Sequence, residues 1–248
     1  MSIVNLINVF QDTLNHCQDI PVSNTTKYTF DDVLSGTGSF KDNISVVNSD
    51  TVSALINSVG KTCVINMASA KRPGGGVENG ASAQEECLFR CSNLYTSIDR
   101  SFYPLKIDEC LYTKDAIFFK DKNYEYIDPV ISDVITIAAF NLNEMGHFLG
   151  KRVAKFDELN KVVNYENNTK DKIRLMVSIP AKNGVKTLVL GAWGCGVYKN
   201  DPVKISEYFR EILVDEGYAS LYDKVIFAII NDHNSVGNNY DIFEKTLK

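Results

Sequence analysis

The chain has 248 residues, 44% hydrophobic and 23% charged, with a formal net charge of −5 and a pI near 5.3. That length suits one large domain or two small ones, and it buries enough surface to fold without staples. The acidic balance weighs against a protein that coats bulk DNA or RNA, where counterion release calls for a basic face, yet it leaves room for a phosphate ligand held by backbone N–H groups.

The first residues, Ile3 to Leu14, carry apolar groups at helical spacing. Residues 18–48 are rich in Asn, Ser, Thr and Asp and read as loop with at most one short strand. Ser49 or Asp50 can cap a helix that Gly60 ends. Cys63–Met67 reads as a buried strand, followed by a loop, 71–80, with three consecutive glycines. A helix is expected over Ser82 to Tyr95, and residues 116–127 read as a hairpin around Asp121 to Asn123. Asp133 to Phe140 is another buried strand. Residues 143–165 hold a helix of mixed charge, and 168–183 a further one that Pro180 should end or kink. Lys186 to Trp193 is a strand, 201–213 a helix with Asp201 as cap and Pro202 in its first turn, 224–230 the last strand and 239–247 the last helix.

Four continuous apolar strands alternating with helices imply a sheet buried on both faces. The expectation is a single α/β domain, a three-layer α/β/α sandwich with a mixed, mostly parallel central sheet. The longest apolar run, Val134 to Phe140 with Thr136 inside it, falls far short of a membrane span. No Lys or Arg precedes Lys27, so no secretory or mitochondrial signal is read, and a cytoplasmic or nuclear setting is expected. The six cysteines include no CxxC pair. Cys87 and Cys91 lie four apart on a helix and read as buried small hydrophobes rather than a zinc site, so no metal is expected.

In open α/β sheets ligands bind beyond the carboxyl ends of the strands. Two such loops stand out. Asn66 to Gly76 ends in Gly74, Gly75 and Gly76, and the next helix opens on Gln84, Glu85 and Glu86. Gly191 to Tyr198 spends three glycines and the only tryptophan. A glycine-rich loop between strand and helix has the architecture of a phosphate cradle, although it is neither GxGxxG nor a P-loop. Read blandly, the two glutamates are favourable charge at a helix N-terminus and Trp193 merely plugs the core.

Three glycines, seven residues, then Gln-Glu-Glu resembles the signature of poly(ADP-ribose) glycohydrolases of the macrodomain superfamily. Residues 64–95 and 188–202 look like their microbial type, and the likeness extends through Phe102, Tyr103 and the last strand. It covers roughly 50–245; residues 1–45 match weakly and read as an N-terminal extension of a single domain, 1–248.

The resemblance implies a macrodomain-like fold and hydrolysis of ribose–ribose O-glycosidic bonds in poly(ADP-ribose), releasing ADP-ribose. It implies Glu86 as catalytic acid/base and Glu85 as the residue that fixes it and holds the reacting ribose. Gly74, Gly75 and Gly76 would approach the distal ribose, against which Tyr198 would pack, and Gln84 would be among the ligand-binding residues. Gly194, Cys195, Gly196, Val197 and Tyr198 would wrap the diphosphate, and Asn66 would face the ligand. An oxocarbenium-like transition state needs one carboxyl protonated near neutral pH, which two adjacent carboxylates favour. No cofactor is implied. The partners are the polymer or ADP-ribosylated proteins and the product ADP-ribose, and a monomer is the simplest expectation.

Tyr198 departs from the family's usual Phe, Lys71–Arg72 alters the rim, and Pro180 interrupts a usually regular helix. Two rival readings are a mono-ADP-ribosyl hydrolase of the same superfamily and a non-catalytic ADP-ribose-binding module.

Overall fold

The computed structural model describes residues 2–38, 42–148, 156–231 and 238–248. Among them, seven strands form one sheet in the order β1-β4-β5-β3-β6-β7-β2. The strands are β1 (Asn24–Thr29), β2 (Ile44–Val47), β3 (Thr62–Met67), β4 (Glu109–Lys120), β5 (Tyr126–Ile137), β6 (Thr187–Leu190) and β7 (Lys224–Ala228). β5, β3, β6, β7 and β2 run parallel, while β4 and β1 add antiparallel at one edge.

The parallel strands read as apolar runs because both faces are covered. One face buries Ile65, Ile135, Leu188 and Phe227 beneath α7 (Tyr165–Lys182), α8 (Pro202–Arg210) and α9 (Asn239–Leu247). There Phe209 meets Phe227 edge-on at 5.1 Å, with Phe243 beside both. The other face buries Val64, Val134, Val189 and Ile226 against α1 (Ile3–His16), α2 (Thr51–Ile56) and α3 (Gln84–Cys91). Each such aliphatic side chain contributes about 1.5–3 kcal/mol by leaving water. No helix among the described residues is long and apolar enough to cross a membrane.

Several elements differ from the expectation. The polar stretch 18–48 supplies two strands, and they form the two outer edges of the sheet. The hairpin of 116–127 and the strand of 133–140 are one structure: β4 and β5 are each 12 residues long, and Ile131, Val134 and Ile135 all lie in β5. Pro129 is tolerated because that end of β5 pairs only with β4; β3 joins from Asp133 onward. The helix over 82–95 breaks after Cys91 and resumes as α4 (Leu94–Ser97), with Ser92 bridging to Phe118. Residues 143–165 hold α5 (Leu142–Phe148) and α6 (Phe156–Val163); the centre of the expected helix lies outside the described residues. Pro180 neither stops α7 at once nor stands in its middle. The helix runs to Lys182, where Asn183 donates its backbone and side-chain N–H to Ile179 O.

Candidate active site

The GGG loop and α3 are built against each other. Gln84 clamps α3 to β3: its Oε1 accepts from Met67 N at 2.9 Å, and its Nε2 donates to Ile65 O and Thr51 Oγ1. Arg90, fully buried on the same helix, donates to Leu6 O, Val77 O and Ala81 O, tying α1 and the segment after the glycines to α3. Between these clamps stand Glu85 and Glu86, 4% and 7% exposed. Glu85 accepts from Asn66 Nδ2 at 3.3 Å, Ser69 N at 2.7 Å and Gly74 N at 3.2 Å. Glu86 Oε1 accepts from Gly76 N at 2.9 Å, while its Oε2 is bonded to no protein group among the described residues.

The glycines thus serve the carboxylates directly. Gly74 and Gly75 adopt φ of +73° and +53°. A Cβ on Gly75 would lie 2.6 Å from Glu86 Oε1 and 2.9 Å from Glu85 Oε2, so the close approach that requires glycine is made by the two carboxylates themselves. Burial pushes the Glu85 carboxyl up to about 8, against the pull of the Ser69 N–H, and the charge of Glu86 adds to the rise. Burial and the neighbouring carboxylate thus favour the protonated form of Glu85, against the pull of its three N–H donors.

The pair lines a cleft of about 1180 Å³. Its floor lies beyond the carboxyl ends of β2, β3, β6 and β7, and its opposite wall is the second glycine-rich loop. Trp193 does plug the core there, 1% exposed with Nε1 donating to Ile137 O. Beyond it the loop turns its peptides. Gly196 O accepts from Lys199 N and Val197 O from Asn143 Nδ2. Across each planar peptide the N–H lies on the opposite edge. The N–H groups of Val197 and Tyr198 donate to no protein group among the described residues, and both residues line the cleft. Arg72 spends its Nε on Gly75 O, and Lys71 pairs with Glu144 at 2.7 Å.

Not every expected residue reaches the cleft. Glu85, Glu86, Gly75, Gly76, Gln84, Gly194, Gly196, Val197 and Tyr198 line it. Asn66 does not: fully buried, it stands behind Glu85 and holds it, with Thr136 on its other side. Gly74 likewise acts from behind, through its N–H. Cys195 also fails to reach the wall. Its N–H donates to Ala192 O, and its side chain is fully buried with Sγ on Trp193 O. The sequence reading passed over Ser69, whose N–H holds Glu85, and Tyr124 and Asn239, which line the cleft. Asn239 opens α9, the first described helix after the last strand, so the rule that ligands sit at strand carboxyl ends reaches it as well. Cys87 also lines the cleft and is more than a buried hydrophobe. Tyr103 carries a buried hydroxyl with no hydrogen-bond partner among the described residues, and its ionisation is opposed by burial and by the charge of Glu85.

Residues 11–121, which include the GGG loop and both glutamates, match the family model of the microbial-type PARG, catalytic domain. Over this stretch, somewhat under half of the chain, the protein is similar to the microbial-type poly(ADP-ribose) glycohydrolase (PARG) catalytic domain. The fold agrees. The poly(ADP-ribose) glycohydrolase from Thermomonospora curvata superposes with a TM-score of 0.82 at 24% identity, covering 98% of this chain and 99% of that one. The Deinococcus radiodurans enzyme in complex with ADP-ribose superposes at 0.76 with 27% identity, over 95% and 97%. No curated protein matches the sequence.

Proposed function

We propose that the protein hydrolyses the ribose–ribose O-glycosidic bonds of poly(ADP-ribose) and releases ADP-ribose, with Glu86 as general acid and base. The observation that carries this reading is the carboxylate pair. Glu86 lines the cleft and is fixed through Oε1 by Gly76 N–H, and its buried Oε2 is bonded to no protein group among the described residues. The matched catalytic domain and the ADP-ribose held by the Deinococcus radiodurans enzyme support it.

The distal ribose of a terminal unit lies between the glycines and Tyr198, with its diphosphate along Val197 and Tyr198. Glu86 passes a proton to the glycosidic oxygen as the bond to the anomeric carbon breaks, leaving an oxocarbenium-like ribose and a free hydroxyl on the departing chain. Glu86, now ionised, takes a proton from the water that attacks the anomeric carbon, and the starting state returns. Glu85 holds the loop through the Ser69 and Gly74 N–H groups, and the proton that the close carboxyl pair retains is the one Glu86 delivers. Ribose stacking on an aromatic wall is compatible with Tyr198 in place of Phe.

The test is incubation with labelled polymer and, separately, with a mono-ADP-ribosylated protein, followed by chromatography. Free ADP-ribose from the polymer is expected. Release from the mono-modified protein alone would assign a mono-ADP-ribosyl hydrolase, and binding without release a reader module.

A further inference from the structure

Beside the cleft lies a second cavity of about 610 Å³. The two share Ser69, Lys71, Ala139 and Tyr198, so these residues form the partition between them. Ser69 is also the residue whose N–H holds Glu85, so one residue separates the second cavity from the catalytic pair. It occupies the same end of the sheet, one step toward the β4 edge. Its walls come from the segment after β5, residues 138–141, and the segment before β4, residues 105–107. Leu105, Phe140, Met145 and Val163 make it largely apolar.

Lys172 enters this cavity from α7 and is 3% exposed. The other two buried cations among the described residues are well paired: Arg90 donates to three carbonyls, and Lys120 donates to Asp12, Thr13 and Val9 O. Lys172 makes no hydrogen bond or ion pair among the described residues. Burial pushes its ammonium down to about 8, offset only in part by Cys110, Asp108 and Glu109 at longer range. Glu109 is already engaged by Lys27 and by Lys106 N. Buried lysines are normally paired, so one left alone at the wall of a cavity points to an anionic ligand. Exposed Lys106 stands at the same rim.

We propose that this cavity binds the next nucleotide unit of the polymer, on the leaving side of the scissile bond, with Lys172 pairing to its phosphate oxygens. The proposal rests on the glycohydrolase reading. In the polymer the departing hydroxyl belongs to the adenosine ribose of the neighbouring unit, which carries a base and a diphosphate. A largely apolar chamber with a buried cation, adjoining the cleft, matches both parts, and its volume falls within the usual range of small-ligand sites.

Two variants test it, Lys172→Met and, at the exposed rim, Lys106→Glu. Losing a hydrogen-bonded charge pair raises KM for polymer about tenfold or more. Turnover of ADP-ribose carrying a small aryl leaving group stays at the wild-type level, as does ADP-ribose affinity, which also reports that each variant is folded. In a second arm, adenosine monophosphate is titrated into protein saturated with ADP-ribose. A second equivalent binds the wild type and is lost in both variants. If the wild type cleaves polymer and both variants match it in KM, the proposal is overturned. If the wild type does not cleave polymer, the glycohydrolase reading fails instead, and the monophosphate titration alone decides whether the cavity takes a nucleotide.

Discussion

The catalytic proposal turns on single atoms. Glu86→Gln keeps the shape and the Gly76 contact but removes the transferable proton from Oε2. Turnover should fall by about 10²–10⁴-fold while ADP-ribose still binds, checked by product chromatography beside calorimetric titration. Near-wild-type cleavage would remove Glu86 from the mechanism. Glu85 makes a separate prediction about pH. A carboxyl whose folded pKa is raised keeps a proton that the unfolded chain has already released. The contribution of Glu85 to stability is intact below about pH 4.5 and is lost as pH rises toward about 8. Glu85→Gln removes that titration. Between pH 5 and pH 8 the wild type should lose roughly 2–4 kcal/mol more stability than the variant in urea unfolding. Parallel pH profiles would show that Glu85 is ionised in the folded protein.

At the scale of elements, the GGG loop and the first turn of α3 act as one unit. The loop donates Gly74 N–H and Gly76 N–H to the carboxylates, and Gly75 lets the backbone pass between them. Gly75→Ala places a Cβ at a φ of +53° and against Glu86 Oε1. The left-handed conformation costs about 1–2 kcal/mol. Displacing the acid by about 1 Å can cost on the order of 10²-fold in rate. Turnover should therefore fall far more than thermal stability does, measured as kcat against Tm. A variant that loses a few degrees in Tm and keeps its kcat would mean that the loop does not set the position of Glu86.

At the scale of the whole molecule, a protein of net charge −5 is proposed to hold a diphosphate. The basic groups at the cleft already have partners: Arg72 gives its Nε to Gly75 O, Lys71 pairs with Glu144, and Lys122 lies 3.9 Å from Asp50. Binding through oriented backbone N–H groups displaces few counterions. ADP-ribose affinity should then change by about fourfold or less between 50 and 200 mM salt, where a protein with 6–10 phosphate contacts loses about 10³–10⁵-fold. A steep slope in calorimetric titrations would give the binding to a basic patch. The first helix is tied to the same architecture. Arg90 depends on Leu6 O, and Lys120 on Asp12 and Thr13. Deleting residues 1–22 would take one of the three carbonyls from Arg90, and from Lys120 every hydrogen-bond partner it has among the described residues, at about 3 kcal/mol or more for the broken Lys120 pair. The shortened chain should fail to give a cooperative thermal transition; an unchanged Tm would show that α1 is dispensable.

The sequence by itself determined the buried strands, because strands covered on both faces must be apolar runs, and it determined the pairing of three glycines with two glutamates, because both stand in one local segment. It could not show β1 or β2. Edge strands are half solvated, so Asn24–Thr29 carries no apolar run, only exposed and half-buried side chains. Nor could it fuse 116–127 with 133–140, since Pro129 reads as a break until β5 is seen to have a single neighbour there. Where Asn66, Cys195 and Lys172 stand relative to the cavities was decided by tertiary structure alone. Which side of a wall a side chain faces depends on the elements packed against it, and those lie far away in the chain. Asn66 and Thr136 meet across β3 and β5. Gly196 to Tyr198 face Glu86 only because β6 pairs beside β3 and sets the two loops at one end of the sheet. Local pattern encodes an element and its faces; the meeting of distant loops over a shared cleft is a property of strand order, which no local pattern carries.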